Sequence, residues 1–131
     1  MANTQYTVTN FFEYGCLGQC LIQQNDLTLV TIPAGYSAII SHISFSDTDR
    51  NGDNVTCWIY PHESPNSNGN QEQMLLYYYP INQNSFDCPE VCKHLTLSEL
   101  DEIHVSAEAG ERVTAQVWGM LVPLNQLTHP E

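Results

Sequence analysis

The 131 residues carry three basic side chains (Arg50, Lys93, Arg112) against 15 acidic ones, a formal net charge of −12, and 42% of them are hydrophobic. That length and apolar content predict one domain, residues 1–131, that buries a core unaided; a disordered chain is excluded. Three cations cannot displace the counterions of a phosphate backbone, so neither nucleic acid nor an anionic membrane is an expected partner.

In chain order, residues 1–14 open with a polar stretch lacking the basic and apolar segments of a signal peptide, which places synthesis in the cytoplasm. β-Forming residues at 4–12 predict a first strand or an extended arm. Residues 15–20, punctuated by Gly15 and Gly18, read as a loop. Two apolar runs, 27–32 and 38–45, flank Pro33-Ala34-Gly35 and predict a hairpin around which the later strands assemble. Asn51-Gly52 predicts a second turn, because both residues tolerate positive φ. Residues 55–60 alternate, with Val55, Cys57 and Ile59 on one face.

Residues 61–71 are almost free of apolar side chains and read as the longest exposed loop. The run at 74–79, Met-Leu-Leu-Tyr-Tyr-Tyr, reads as a strand buried on both faces or nearly so. An irregular stretch from Pro80 to Pro89 leads to an apolar strand at 91–97. The last third alternates most regularly: Ile103, Val105 and Ala107 on one side, then Val113, Ala115, Val117, Gly119 and Leu121 after a turn at 109–111. Residues 123–131 form an expected tail. With no helical period beyond a turn at 97–102 and seven or eight short strands, the expected fold is all-β: a two-sheet antiparallel sandwich of jelly-roll type.

The segment Ile32-Pro33-Ala34-Gly35-Tyr36-Ser37-Ala38-Ile39-Ile40-Ser41-His42-Ile43 resembles a motif of small β-sandwich structural proteins of tailed bacteriophages. In those proteins a Pro-Ala-Gly-like turn precedes an apolar strand and an Asn- or Asp-containing turn. A late Leu-x-x-Gly-Asp-x-Ile-x-Val segment and a Val-x-Val-x-Gly strand follow. Here the late segment, with an apolar residue two positions before its Leu, is Leu95-Thr96-Leu97-Ser98-Glu99-Leu100-Asp101-Glu102-Ile103-His104-Val105, with Leu100 in the glycine position. The closing strand is 113–119. The resemblance spans residues 27–122 and implies a virion component: a capsid decoration or cement protein, or a tail or fibre accessory domain. It also implies a homotrimer whose partners are the major capsid protein or other virion proteins.

Three residue sets are candidate sites. Asp47, Asp49, Asn51 and Asp53, followed or interrupted by Gly52, match the first half of a calcium loop, although Trp58 occupies the position of the closing Glu. A polar Asn-Gly hairpin between two strands is the reading favoured over calcium. Cys16, Cys20, Cys88 and Cys92 form two Cys-x-x-x-Cys pairs, open to zinc, to disulfides or to plain packing, while Cys57 belongs to the core. Trp58, Tyr60 and Trp118 lie opposite the inward-facing residues of their strands, which suits an interface or a sugar-stacking surface. None of the histidines falls in a nucleophile or zinc-peptidase motif, and adjacent carboxylates such as Asp101 and Glu102 point to opposite faces of a predicted strand, so no catalytic residue and no cofactor is expected.

Overall fold

The computed structural model describes residues 14–47, 52–63, 73–81 and 86–124. Nine strands are found in them: β1 (Gly15–Leu21), β2 (Leu27–Thr31), β3 (Tyr36–Asp47), β4 (Asp53–Tyr60), β5 (Met74–Ile81), β6 (Phe86–Asp87), β7 (Leu95–Leu97), β8 (Glu102–Ala107) and β9 (Val113–Pro123). A single 3₁₀ turn, Glu90–Cys92, separates β6 from β7. The expected arm at 4–12 and most of the loop at 61–71 lie outside the described residues.

Two antiparallel sheets face each other, one ordered β1-β9-β3-β6 with β7 also on β3, the other β2-β8-β4-β5. β6 and β7 pair with opposite ends of β3, at Phe45–Ser46 and Ala38–Ile40, so they are two pieces of one edge strand interrupted by residues 88–94. Counting them as one gives eight strands in jelly-roll connectivity. Alternation decides which side chains meet between the sheets. Ile43, Phe45, Val55, Cys57, Ile103, Val105, Val113, Ala115 and Val117 are all fully buried there. Phe45 stacks on Tyr77 of the opposite sheet, centroids 5.4 Å apart and planes 9° from parallel, which ties the two layers at their centre.

The structure corrects four sequence expectations. β2 pairs with β8 and β3 with β9, so the Pro33-Ala34-Gly35 turn is no hairpin but an arch from one sheet to the other. Gly35 supplies its left-handed residue at φ 87°, and its N–H donates to Glu99 Oε1 at 2.7 Å. Residues 15–20 are strand, not loop: a Cβ on Gly18 would lie 2.4 Å from the Leu29 carbonyl oxygen, so this glycine serves a close approach of β1 to β2. Only 95–97 of the expected strand at 91–97 is extended. Finally β5 is an edge strand, with Met74, Leu75 and Tyr78 exposed, rather than one covered on both faces.

Leu100, which stands where the phage pattern has glycine, takes the glycine-like conformation at φ 67°. The turn around it is held from both sides. Leu100 N donates to Ile32 O at 2.7 Å, and the buried Asp101 carboxylate accepts from Ser98 N and His62 N, each at 2.8 Å. Those bonds offset a left-handed penalty of about 1–2 kcal/mol.

Candidate functional site

Among the described residues, the three most exposed large apolar side chains, Phe86, Leu75 and Val91, belong to strands and a turn at one lateral edge of the sandwich. β5 has a neighbour on one side only and contains no charged residue in its eight positions. A bulge at its pairing with Cys57 and Trp58 shifts the register there, leaving Leu75 opposite Trp58 and 63% exposed. Across the gap between the sheets, β6 and the 3₁₀ turn present Phe86 at 66% and Val91 at 56% exposure. Between these strips lies a groove of about 390 Å³ lined by Tyr77, Pro80, Asp87, Pro89, Glu90 and Val91. Tyr77 Oη donates to Asp87 Oδ2 at 2.8 Å, which binds β5 to β6 across the groove floor. Lys93 Nζ meets Glu90 Oε1 at 3.3 Å on the rim.

Edge strands are normally blunted by charges, prolines or bulges. β5 has the bulge and Pro80 but no charge, and its Met74, Leu75 and Tyr78 side chains stand in solvent while Tyr77 and Ile81 are buried. Exposed apolar surface concentrated in this way marks a contact surface.

A second cluster occupies the outer face of the β2-β8-β4-β5 sheet. His104 Nδ1 lies 2.9 Å from Asp26 Oδ1 and its Nε2 lies 2.6 Å from Glu102 Oε1. Tyr60 stacks on the imidazole at 3.9 Å and donates its hydroxyl to Asp26 Oδ2 at 2.7 Å. Carboxylates only accept, so a neutral ring satisfies one of them and the doubly protonated ring satisfies both. Thr28 Oγ1 is 3.4 Å from the same Nε2 that Glu102 approaches more closely. The short contact leaves the hydroxyl without a free base, and the arrangement is a clasp that pins Asp26, before β2, onto β8. Glu102-x-His104 on an outward face was visible in the sequence; the approach of Asp26 needed the fold.

Desolvation, then the hydrogen bond to Asp26, then the charges of Asp26 and Glu102 push the Tyr60 phenol up to about 12. The folded state therefore holds that proton more tightly than the unfolded chain, whose phenol titrates near 10. The resulting stability is intact below about pH 10 and is lost as pH rises through about 12. Urea midpoints measured across that window are expected to fall more steeply for the native chain than for Tyr60→Phe; parallel curves would refute the clasp.

β3 and β4, which the expected Asn51-Gly52 hairpin would pair, lie in different sheets, and two of the four candidate calcium residues are described. Asp47 ends β3 and is buried; Asp49 and Asn51 lie outside the described residues. Asp53 Oδ1 accepts from Asn54 N (2.9 Å) and Ala109 N (3.0 Å), and its Oδ2 accepts from Gly110 N (2.8 Å). Both oxygens thus hold the β8–β9 turn. Asp53→Ala is expected to cost about 2 kcal/mol, read as a lower urea midpoint, because it strands two amides of that turn; an unchanged midpoint would remove that role.

All five cysteines are thiols. Cys16 donates to Gly18 O at 3.3 Å, Cys20 is half-buried on β1 with its thiol pushed by burial to about 11, and Cys88 is half-buried after β6. Cys92 is fully buried, and so is Cys57, which the sequence placed in the core. Among the described residues no group of three or more His, Cys, Asp or Glu side chains is arranged to hold a metal ion.

Trp58 and Trp118 sit on opposite outer faces. Trp118 is stacked between Tyr14 (5.9 Å) and His42 (6.3 Å), with Nε1 donating to Gln116 Oε1 at 3.3 Å. Trp58 lies between Leu75 and His104 in the strand register. The three candidate aromatics therefore do not converge on one surface. No protein-family model and no curated protein sequence matches the chain.

Proposed function

We propose that this chain is a non-enzymatic structural protein that acts by protein–protein contact, as a decoration or cement protein of a bacteriophage capsid. The observation that carries the reading is the apolar lateral edge: Leu75, Phe86 and Val91 are each more than half exposed around an uncharged strand, in a chain of net charge −12. Burying that edge against the major capsid protein removes apolar area from water and stabilises the assembled state by mass action. The excess of carboxylates keeps the remaining surface soluble and away from packaged nucleic acid. The phage resemblance supports the capsid as the partner, and the jelly roll supplies two rigid sheets on which such an edge can be presented. The separation of Trp58 from Trp118 weighs against a sugar-stacking platform and favours the protein-contact reading.

The experiment is a double charge substitution, Leu75→Lys with Phe86→Lys. Both side chains are exposed, so the thermal midpoint is expected to stay within about 2 °C of the native chain. Binding to purified capsids that lack the chain is expected to fall at least about tenfold, the effect of losing roughly 1.4 kcal/mol or more of contact. Undiminished binding, or glycan binding by the isolated protein, would overturn the reading.

A further inference from the structure

We propose that the outer face of the sheet formed by β1, β9 and β3 docks a second copy of this chain, face to face about a twofold axis. Alternation and register settle which side chains stand on that face. Val113, Ala115 and Val117 of β9 are buried between the sheets, so Thr114, Gln116, Trp118 and Met120 point outward. Leu21 of β1 is level with Thr114, and Ile39 of β3 is level with Met120.

The face is uncharged. Asp47 and Asp87 are the charged residues of β1, β3, β6, β7 and β9, and the register places them level with the inward-facing Val113 and Phe45. Among the described residues, no outward position on these strands therefore holds Asp, Glu, Lys or Arg. The outer face of the other sheet is acidic. Asp26 and Glu102 flank His104 there, and Glu108 accepts from the Tyr78 hydroxyl and the Asn54 side-chain amide.

That asymmetry selects the occupant. Two copies of net charge −12 repel wherever carboxylates face carboxylates, and like charges brought together across a contact are costly. On the neutral face they meet without that cost. The same face offers no ion pair to a basic or an acidic partner, so its complement is an uncharged surface like itself. A patch that meets its own copy is satisfied by a twofold axis, whereas a threefold ring needs two different patches.

The face is also prepared for contact. Trp118 Nε1 donates to Gln116 Oε1 at 3.3 Å, Gln116 Nε2 donates to Gln19 Oε1 at 2.9 Å, and His42 Nδ1 lies 3.2 Å from Ser41 Oγ. These polar groups keep a partner when water is removed, which lowers the cost of covering them. Leu21, Ile39 and Tyr14, whose ring stacks on Trp118, supply exposed apolar area. Strands of up to about 11 residues at about 3.3 Å each, in four positions about 4.8 Å apart, give a face of roughly 600 Å². Two such faces cover roughly 1,200 Å², the small end of specific interfaces, which makes the dimer a reversible one.

The test is sedimentation equilibrium of the full chain over micromolar to millimolar concentrations. The mass is expected to rise toward twice that of the chain. Association is expected to tighten several-fold between about 0.05 M and 0.5 M NaCl, because salt screens the repulsion of two like-charged copies while the contact itself holds no ion pair. Leu21→Glu with Ile39→Glu is expected to weaken association at least about tenfold and, since both side chains are exposed, to keep a thermal midpoint near the native one. Mixing that variant with Leu21→Lys/Ile39→Lys is expected to restore a dimer of the two unlike chains. Leu75→Lys, on the lateral edge, is expected to leave association unchanged. A monomer at every concentration, a trimer, a dimer that loosens with salt, or a dimer broken by Leu75→Lys but not by the face pair would overturn the proposal. So would a monomer whose capsid binding falls with Leu21→Glu/Ile39→Glu, which would assign the face to the capsid. Sedimentation of the isolated chain does not read capsid binding, so its outcome leaves the lateral-edge reading untouched.

Discussion

Phe45→Ala is expected to lower stability by about 3–5 kcal/mol, the range found when a buried aromatic ring is deleted, and to drop the thermal midpoint by about 10–20 °C. Phe45 heads the largest fully buried side chains and stacks on Tyr77 from the other sheet. Its loss removes apolar contact and leaves a cavity that two hydrogen-bonded sheets cannot collapse to fill. The effect also reaches the candidate contact edge. Asp87 is the β6 partner of Phe45, and it accepts the Tyr77 hydroxyl across the groove. Phe45→Leu, which refills most of the volume, is expected to recover at least half of the loss in urea melts. A loss below about 1 kcal/mol for the alanine variant would mean that the two sheets are not joined at this pair.

Gly119→Ala is the second large effect, expected at about 3 kcal/mol through overpacking rather than a void. An added Cβ would stand 2.2 Å from Ile39 O, 3.0 Å from Ile40 Cα and 3.1 Å from Ile39 C, all backbone atoms that cannot rotate aside. The site lies where β3 carries a bulge, between the residues paired with Gly119 and Trp118. Relief would therefore require β3 and β9 to part along their long pairing. Gly35→Ala makes the control: nothing lies within 4 Å of its Cβ, and only its φ of 87° resists the substitution, at about 1 kcal/mol. If urea midpoints shift equally in the two variants, the β3–β9 approach is looser than these contacts state.

The three contrasting fates of apolar runs show why one edge is left exposed. Residues 113–117 alternate and sit in a central strand, so half of them are buried. β3 is paired on both sides, by β9 on one and by β6 and β7 on the other, and its inward-facing Ala38, Ile40, Ile43 and Phe45 are fully buried, while Ile39 on its outer face is exposed. β5, with no charged residue among its eight positions, ends its sheet, and its Met74, Leu75 and Tyr78 are left in water. Position in the sheet sets that exposure.

By itself the chain determined that this is an all-β sandwich, because period-2 alternation at 55–59, 103–107 and 113–117 places one row of apolar side chains on one side of each strand, whatever their neighbours. It also marked the turns at Gly35, Gly52 and Gly110, where all three glycines adopt positive φ. Only the tertiary structure decided which strands pair, since alternation fixes a face but not a partner, and most connections here cross between sheets instead of folding back as hairpins. For the same reason the Asp26–His104–Glu102 clasp and the exposed β5–β6 edge were not legible in advance: each joins residues far apart in sequence, brought together by strand order alone.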